Sequence, residues 1–363
     1  MRRSVRRHSI FRTSLVLVVL ALALALIATT TFPLAPSAAT NTTTTITLVT
    51  HDSFAVSKSV LARFTRQTHV KVEVLAAGDA GAALNQAILT KSNPLGDVFF
   101  GVDNTFLSRA VDAGIFERYA PAALDQVPVQ YQLDATHRLT PVDHGDVCIN
   151  YDKQWFAKKK IAVPKTLADL TKAEYKDLLV VENPATSSPG LAFQLATIAR
   201  FGERGWQSFW SKLRANGLKV DDGWESAYDG DFTQGGGKGA YPLVVSYASS
   251  PPAAVYFAKP HPATSPVGTM LDSCFRQVEF AGVLEGTTHR AAARKLVDFM
   301  LSPAFQEDVP LQMFVFPVRN GTKLPAVFTK FADTPAKPLS LPAADIGAHR
   351  EAWIEQWTNT VLR

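Results

Sequence analysis

From Ile46 onward the chain alternates short β-branched runs with helix-like stretches, and this alternation restricts its fold more than any other feature. Ile46 to Thr50 reads as a strand, Val56 to Thr68 as a helix and Val70 to Leu75 as a strand. Ala80 to Thr90 then reads as a helix, Asp97 to Gly101 as a strand and Thr105 to Ala113 as a helix. Strand and helix in alternation predict a mostly parallel sheet covered on both faces. In such sheets ligands collect at the carboxyl ends of strands, which places His51, Asp52, Ser53, Asp79 and Asp103 at a common rim. Each of them alone fits a turn or a helix cap better than a site.

The later chain repeats the logic. Val142 to Asp152 is extended and can leave a first lobe for a second; Cys274 to Gly282 is extended again and can return. This reading gives a lobe of residues 40–147 with 276–363 and a lobe of residues 148–275. Within the second, Leu178 to Glu182 is a strand leading into ENPATSSPGLAFQLATIARF, the most suggestive loop in the chain. Thr186, Ser187 and Ser188 are N-cap residue types, and Pro189 suits a first helical position. Gly190 would let a ligand approach the backbone before the apolar face of Leu191, Leu195 and Ile198 begins. Free N–H groups at a helix start suit an anion, although an ordinary capped helix has the same signature. Lys165 to Leu170 and Trp206 to Ala215 read as helices, Leu218 to Asp221 and Pro242 to Tyr247 as strands, and GDFTQGGGKGAY as a flexible loop. Thr288 to Met300 reads as a helix, Phe305 opens a short helical turn, and Phe314 to Pro317 is strand-like. Ile346, Trp353, Trp357 and Val361 recur near helical spacing, which marks a packing face.

The first fourteen residues, MRRSVRRHSIFRTS, are basic and free of acid; an apolar run from Leu15 to Ala28 and a small-residue stretch ending at Ala39 follow. That is the order of a signal peptide over residues 1–39, with a core shorter than a membrane span. No cysteine lies near the junction to accept a lipid, and Arg6 with Arg7 only weakly resembles a twin-arginine signal. The formal charge of +5 belongs to this leader. Thirty-seven basic residues fall to thirty-two when Arg2, Arg3, Arg6, Arg7 and Arg12 are removed, against thirty-two acidic ones. A balanced mature chain has no electrostatic case for nucleic acid or an anionic membrane surface. Cys148 and Cys274 are the only cysteines; in an exported chain they fit a disulfide, and they fit two buried thiols as well.

Signatures of catalysis and of metal binding are missing. The eight histidines are scattered, the glycines around Lys238 do not match the spacing of a Walker loop, and no Gly-x-Ser-x-Gly or Ser-x-x-Lys occurs. Neither a metal nor a cofactor is expected.

Several separated strings, in order along nearly the whole mature chain, resemble one family. They are HDSF (His51 to Phe54), GDAGAALNQ (Gly78 to Gln86), DVFFGVDNTFL (Asp97 to Leu107), INYDK (Ile149 to Lys153), NPATSSPGL (Asn183 to Leu191), DGWESAY (Asp222 to Tyr228), VVSYASSP (Val244 to Pro251), FMLSPAFQ (Phe299 to Gln306) and HREAWIEQW (His349 to Trp357). The sequence is similar to the periplasmic thiamine-binding proteins that serve ATP-binding-cassette importers. The resemblance implies an α/β, two-lobe solute-binding fold of type II with its ligand cleft between the lobes. It also implies a monomer that is not an enzyme, is located in the periplasm or outside the cell, and hands thiamine or a thiamine phosphate to a membrane permease.

Carried over by position, the resemblance implies ligand contacts from Asp79 and Ala80, from the pair Ser187 and Ser188, and from Trp224 with Tyr228 beside it. Tyr247, Ala248, Ser249, Ser250 and Pro251 come from the SYASSP string, and His51 and Phe314 complete the set. His51 stands where the family usually has Tyr, Pro252 and Ala253 where another Tyr is usual, and Phe314 where a Trp is usual; Tyr256, one turn on, could supply a ring. Those departures keep two alternatives open, another small cation of polyamine-like or heterocyclic type and a thiamine-pyrimidine synthesis enzyme of the same fold. A ligand sensor is also compatible with the sequence. An iron-binding relative is not favoured, since the chain has no adjacent tyrosines.

Overall fold

The computed structural model describes residues 43–237 and 239–363. The expected signal peptide and Lys238 lie outside them. The first units form as the alternation predicts: β1 (Thr44–Thr50), α1 (Lys58–Thr68), β2 (Val70–Ala76), α2 (Ala80–Leu89), β3 (Val98–Asp103) and α3 (Leu107–Asp112). α3 starts later than expected because Asp103 caps the turn before it, accepting from the backbone N–H of Thr105 at 3.0 Å and of Phe106 at 3.2 Å. There follow β4 (Thr140–Asp152), α4 (Lys153–Lys159), β5 (Leu179–Glu182), α5 (Ser188–Phe201), α6 (Trp206–Ala215), β6 (Lys219–Asp221), β7 (Leu243–Tyr247), α7 (Ser250–Phe257) and β8 (Val267–Val283). The chain ends with α8 (Arg290–Met300), α9 (Pro303–Gln306), α10 (Val309–Gln312), β9 (Phe316–Pro317), α11 (Ala326–Phe331) and α12 (Ala343–Val361). The helix expected over Lys165 to Leu170 is only a 3₁₀ turn over Leu167–Thr171, closed by a capping box between Thr166 and Asp169.

All strands join one sheet in the order β2-β1-β3-β8-β4-β7-β5-β6, with β9 on β4. The expectation of a mostly parallel sheet holds only at its two ends, where β2, β1 and β3 and then β7, β5 and β6 pair in parallel. The middle is antiparallel: the long strand β8 pairs with β3 on one side and with β4 on the other, and β4 joins β7. The described residues therefore cluster as one compact unit. A large apolar cluster, with Phe99, Phe193, Trp206 and Trp210 in it, fills one side of the sheet, and a second, with Phe64, Leu296 and Phe299, fills the other. At roughly 2 kcal/mol for each large side chain fully buried, these clusters dominate the stability of the fold.

The β4–β8 ladder shifts register between Val147 and Ile149, opposite a looped-out stretch of β8 between Met270 and Phe275. Cys148 and Cys274 meet there in a disulfide, both fully buried. Joining residues 126 apart in sequence removes about 5 kcal/mol of chain entropy from the unfolded state in the simple loop model. The apolar face expected on the C-terminal helix is buried as one surface: Ile346, Trp353, Trp357 and Val361 are all covered. α12 packs on both α3 and α6, and Trp357 meets Trp210 edge-on at 5.4 Å.

Candidate functional site

The carboxyl ends of β1 and β7, β8 at Glu279 and the starts of α2 and α5 surround a cavity of about 610 Å³. Asp79 stands at its centre. As N-cap of α2, its carboxylate accepts from the N–H of Ala80 at 2.5 Å and from that of Trp224 at 2.9 Å, with Ser188 N–H at 3.4 Å. One side chain thus ties the starts of α2 and α5 to the Trp224 segment. Burial pushes its pKa up, and the Trp224 N–H, His51 and the other donors offset that only in part.

The start of α5 departs from the expected anion site. Ser187 is the N-cap, with its hydroxyl 3.5 Å from Gly190 N, and the carboxylate facing the helix tip is the protein's own Asp79. Gly190 does not serve ligand approach either. A Cβ there would lie 2.5 Å from the carbonyl oxygen of Glu182, so glycine is required for α5 to pack on the end of β5. Glu182 itself is fully buried, and burial, with Asp79 nearby, raises its pKa well above the ordinary range.

Around Asp79 the lining divides by chemistry. His51 from the end of β1 and Glu279 from β8 approach at 3.4 Å, with His51 Nδ1 3.1 Å from the Ser53 hydroxyl. Burial alone would lower the imidazole, but Glu279, with Asp79 and Asp52, outweighs it and holds His51 above its ordinary pKa. Burial likewise opposes ionisation of Glu279, yet the contact with His51 keeps it below its ordinary value. Asp143, fully buried behind Glu279, is raised well above the ordinary range by burial and by that neighbouring carboxylate.

The opposite side is aromatic. Trp224 and Tyr228 stack at 4.9 Å and 12° along a π-helical turn over Glu225–Asp231. Trp224 Nε1 donates to Ser246 Oγ at 2.9 Å, and Tyr247 Oη donates to Gln277 Oε1 at 2.6 Å. Gln277 in turn donates to Ser188 Oγ at 2.9 Å and to Asp103. The polar tips are held by the protein and the ring bodies are left to the cavity.

Of the residues carried over by resemblance, His51, Asp79, Ala80, Ser188, Trp224, Tyr228, Tyr247, Ser250 and Phe314 line this one cavity. Ser187, Ala248, Ser249 and Pro251 do not. Ser187 is buried as a cap, Ala248 packs on the disulfide, Ser249 is fully covered, and the carbonyl of Pro251 accepts from Ser265 Oγ at 3.1 Å. The ring offered from α7 is Phe257, not Tyr256: Tyr256 packs against Phe257 and Phe314 outside the lining. Phe314 has φ +54, which turns it toward the cavity at the cost of left-handed backbone and explains why the expected strand shrinks to Phe316–Pro317. The glycine loop is pinned where it is described, since Thr233 and Gln234 both donate to Asp152 Oδ2, at 2.7 and 2.9 Å. Glu279, Glu225, Asp229 and Gln234 were not read from the sequence and also line the cavity. Asp103, on the expected rim, lies behind Gln277 and is fully buried.

A family model described as bacterial extracellular solute-binding protein matches residues 93–339. The thiamine-binding periplasmic protein of Escherichia coli (strain K12) is 31% identical over 322 residues, covering 87% of this chain and 93% of that protein. The chain belongs to the periplasmic thiamine-binding protein family of bacterial extracellular solute-binding proteins. A solved structure titled periplasmic thiamin binding protein superposes with a TM-score of 0.74 at 27% identity, covering 88% of this chain and 96% of that one. The periplasmic binding protein AfuA from Actinobacillus pleuropneumoniae, with exogenous fructose-6-phosphate bound, superposes with a TM-score of 0.72 at 17% identity over 87% of this chain and 98% of that one, a likeness of fold alone. The fold is thus the two-lobe, type II solute-binding fold, and its family consists of binding proteins rather than enzymes. The reading of a thiamine-pyrimidine synthesis enzyme is set aside on that ground. No group of three or more metal-binding side chains occurs among the described residues, and none of their helices is long and apolar enough to cross a membrane.

Proposed function

We propose that this protein is an exported, monomeric receptor that captures thiamine and delivers it to the permease of an ATP-binding-cassette importer. The observation that carries this reading is one cavity in which a buried carboxylate, Asp79, faces the stacked rings of Trp224 and Tyr228. A flat cation with an aminopyrimidine needs both. The buried carboxylate balances the thiazolium charge, and an aromatic plate over a cation contributes about 0.5 to 2 kcal/mol. A linear diamine would leave the stacked plates without a flat partner, so the structure favours a heterocycle over a polyamine. The names of the curated relatives point the same way.

We place the division between lobes at the disulfide, with residues 43–147 and 276–363 on one side and 148–275 on the other. On that division, Asp79 to Trp224 N, Ala82 N to Thr186 O at 3.0 Å and Gln277 to Ser188 are contacts between lobes, and the conformation is the closed one. α12, assigned to the first lobe, also packs on α6 of the second and would brace the pair. The test is a fluorescence titration. Trp224 borders the cavity, so thiamine should quench tryptophan emission saturably with one site per chain, and putrescine should not. Saturable binding of putrescine with no response to thiamine would refute the reading.

A further inference from the structure

The balance of charge over the whole mature chain hides an uneven distribution. Tyr151 and Leu179 both pair with Leu243, the first residue of β7, and Val180 pairs with Lys219, the first of β6. The amino ends of β5, β6 and β7 thus gather at one end of the sheet, opposite the cavity that Tyr247 lines at the carboxyl end of β7. Separate segments cover those amino ends as one face. Asn216 Nδ2, just past α6, donates to the carbonyls of Leu170 and Lys172 at 3.0 and 2.9 Å, and Asp177 N–H donates to Asn216 O at 2.9 Å. Tyr175 Oη donates to the carbonyl of Ala162 at 2.9 Å, which ties in the turn after α4.

That face is basic. Lys158, Lys159, Lys160, Lys165, Lys172 and Lys176 are exposed on it, and the last turn of α6 adds Lys212 and Arg214. Within residues 158–177 and 212–216 the carboxylates are Asp169, Glu174 and Asp177, so eight cations stand against three anions, a net of +5. Among the described residues only Lys172 of the eight pairs with a carboxylate, Asp169, at 2.6 Å. The cavity carboxylates do not cancel this charge: the five residues of β7 span about 16 Å, twice the Debye length of about 8 Å at physiological salt.

Apolar side chains lie among these cations. Trp155 is half-exposed on α4 with Lys159 Nζ 5.7 Å from its ring centre, and Ile161 and Val163 are half-exposed between Lys160 and Lys165. Lysines interleaved with an indole and short aliphatic groups match the headgroup layer of an anionic bilayer, where charge and a shallow apolar layer meet. A soluble polyanion offers only the charge. We propose that this end of the molecule is a docking face for anionic phospholipid, a surface within reach of a family that is periplasmic. None of the cations of the face lines the cavity, so the contact leaves solute capture free and holds whatever solute the cavity takes. The expectation drawn from overall charge, that an anionic membrane surface has no electrostatic support, thus fails for this one face.

Co-sedimentation of the protein with lipid vesicles tests this. At low salt, vesicles of phosphatidylglycerol and phosphatidylcholine should bind it at least about tenfold more tightly than vesicles of phosphatidylcholine alone. Added salt should release it. The variant K158Q/K159Q/K165Q, changed only at exposed positions outside the cavity lining, should bind the anionic vesicles at least about tenfold more weakly and leave the thiamine titration unchanged. The variant K91Q/K295Q/K323Q removes the same charge from exposed positions elsewhere and should stay within about threefold of wild type. Equal binding to neutral and anionic vesicles overturns the proposal, as does an equal loss in the two variants. Binding of soluble polyglutamate through the same lysines, with no binding to vesicles, also overturns it and marks the face as one for an acidic protein.

Discussion

The two walls of the cavity are held in opposite ways. On the acidic wall each charge is fixed by hydrogen bonds or a neighbouring charge: Asp79 by backbone N–H groups and Glu279 by His51. On the aromatic wall Trp224, Tyr228 and Tyr247 are held by packing, with only their polar tips anchored. A misplaced buried charge costs several times more than a misplaced ring. The acidic wall is accordingly built into backbone ends and the long β8 strand, while the aromatic wall sits on a π-helical turn and the end of the short strand β7.

Substitutions can break this contrast in order of size. Asp103, buried behind the acidic wall, has its pKa raised to about 6 by burial, which outweighs the hydrogen bonds from Thr105 and Gln277. Its folded pKa exceeds the unfolded value, so its penalty is absent below about pH 4 and full above about pH 6. Chemical denaturation between those limits should show stability falling by about 3 kcal/mol from this group as pH rises. The variant D103N should flatten that slope and leave thiamine affinity within about threefold of wild type.

Next comes the central carboxylate. Replacing Asp79 by Asn removes the charge and leaves one acceptor oxygen where the Ala80 and Trp224 N–H groups now donate to two, and should weaken thiamine by about 2 kcal/mol or more, roughly thirtyfold. If D79N and D103N weakened thiamine equally, the carboxylate assigned to the ligand would be the wrong one. For the aromatic wall, W224L should lose about 1 kcal/mol of affinity, and the loss should be smaller toward a neutral analogue without the thiazolium. The smallest expected effect separates neighbours on α7. F257A should weaken thiamine by about 0.5 kcal/mol, whereas Y256A should not, and the reverse order would restore the ring expected from the sequence.

The sequence carried the parts of this contrast that depend on local signals. Ser187 and Pro189 mark the start of α5, Asp79 caps α2 where the resemblance puts it, and the spacing of Trp353 and Trp357 gives the buried face of α12. What it could not show depends on contacts between distant segments. Gly190 invites a ligand when read alone, and only the approach of the Glu182 carbonyl shows that the space is taken. Glu279 sits in a long strand of buried residues, where nothing local distinguishes a cavity carboxylate from a core one; its meaning comes from His51 and Asp143. The SYASSP string reads as one binding stretch, but its passage from β7 into α7 turns Ala248, Ser249 and Pro251 inward and leaves Tyr247 and Ser250 on the lining. The antiparallel centre of the sheet was hidden for the same reason, since β4 and β8 meet β3, β7 and each other only through pairing between segments far apart along the chain.

The central claim is that the acidic and aromatic walls act on one ligand at one time. A crystal structure of the protein grown with thiamine tests it most directly. The account expects the vitamin in this cavity, its thiazolium within reach of the Asp79 carboxylate and a ring of the ligand against Trp224 or Tyr228. Thiamine bound elsewhere, or touching one wall with the other turned away, would contradict it.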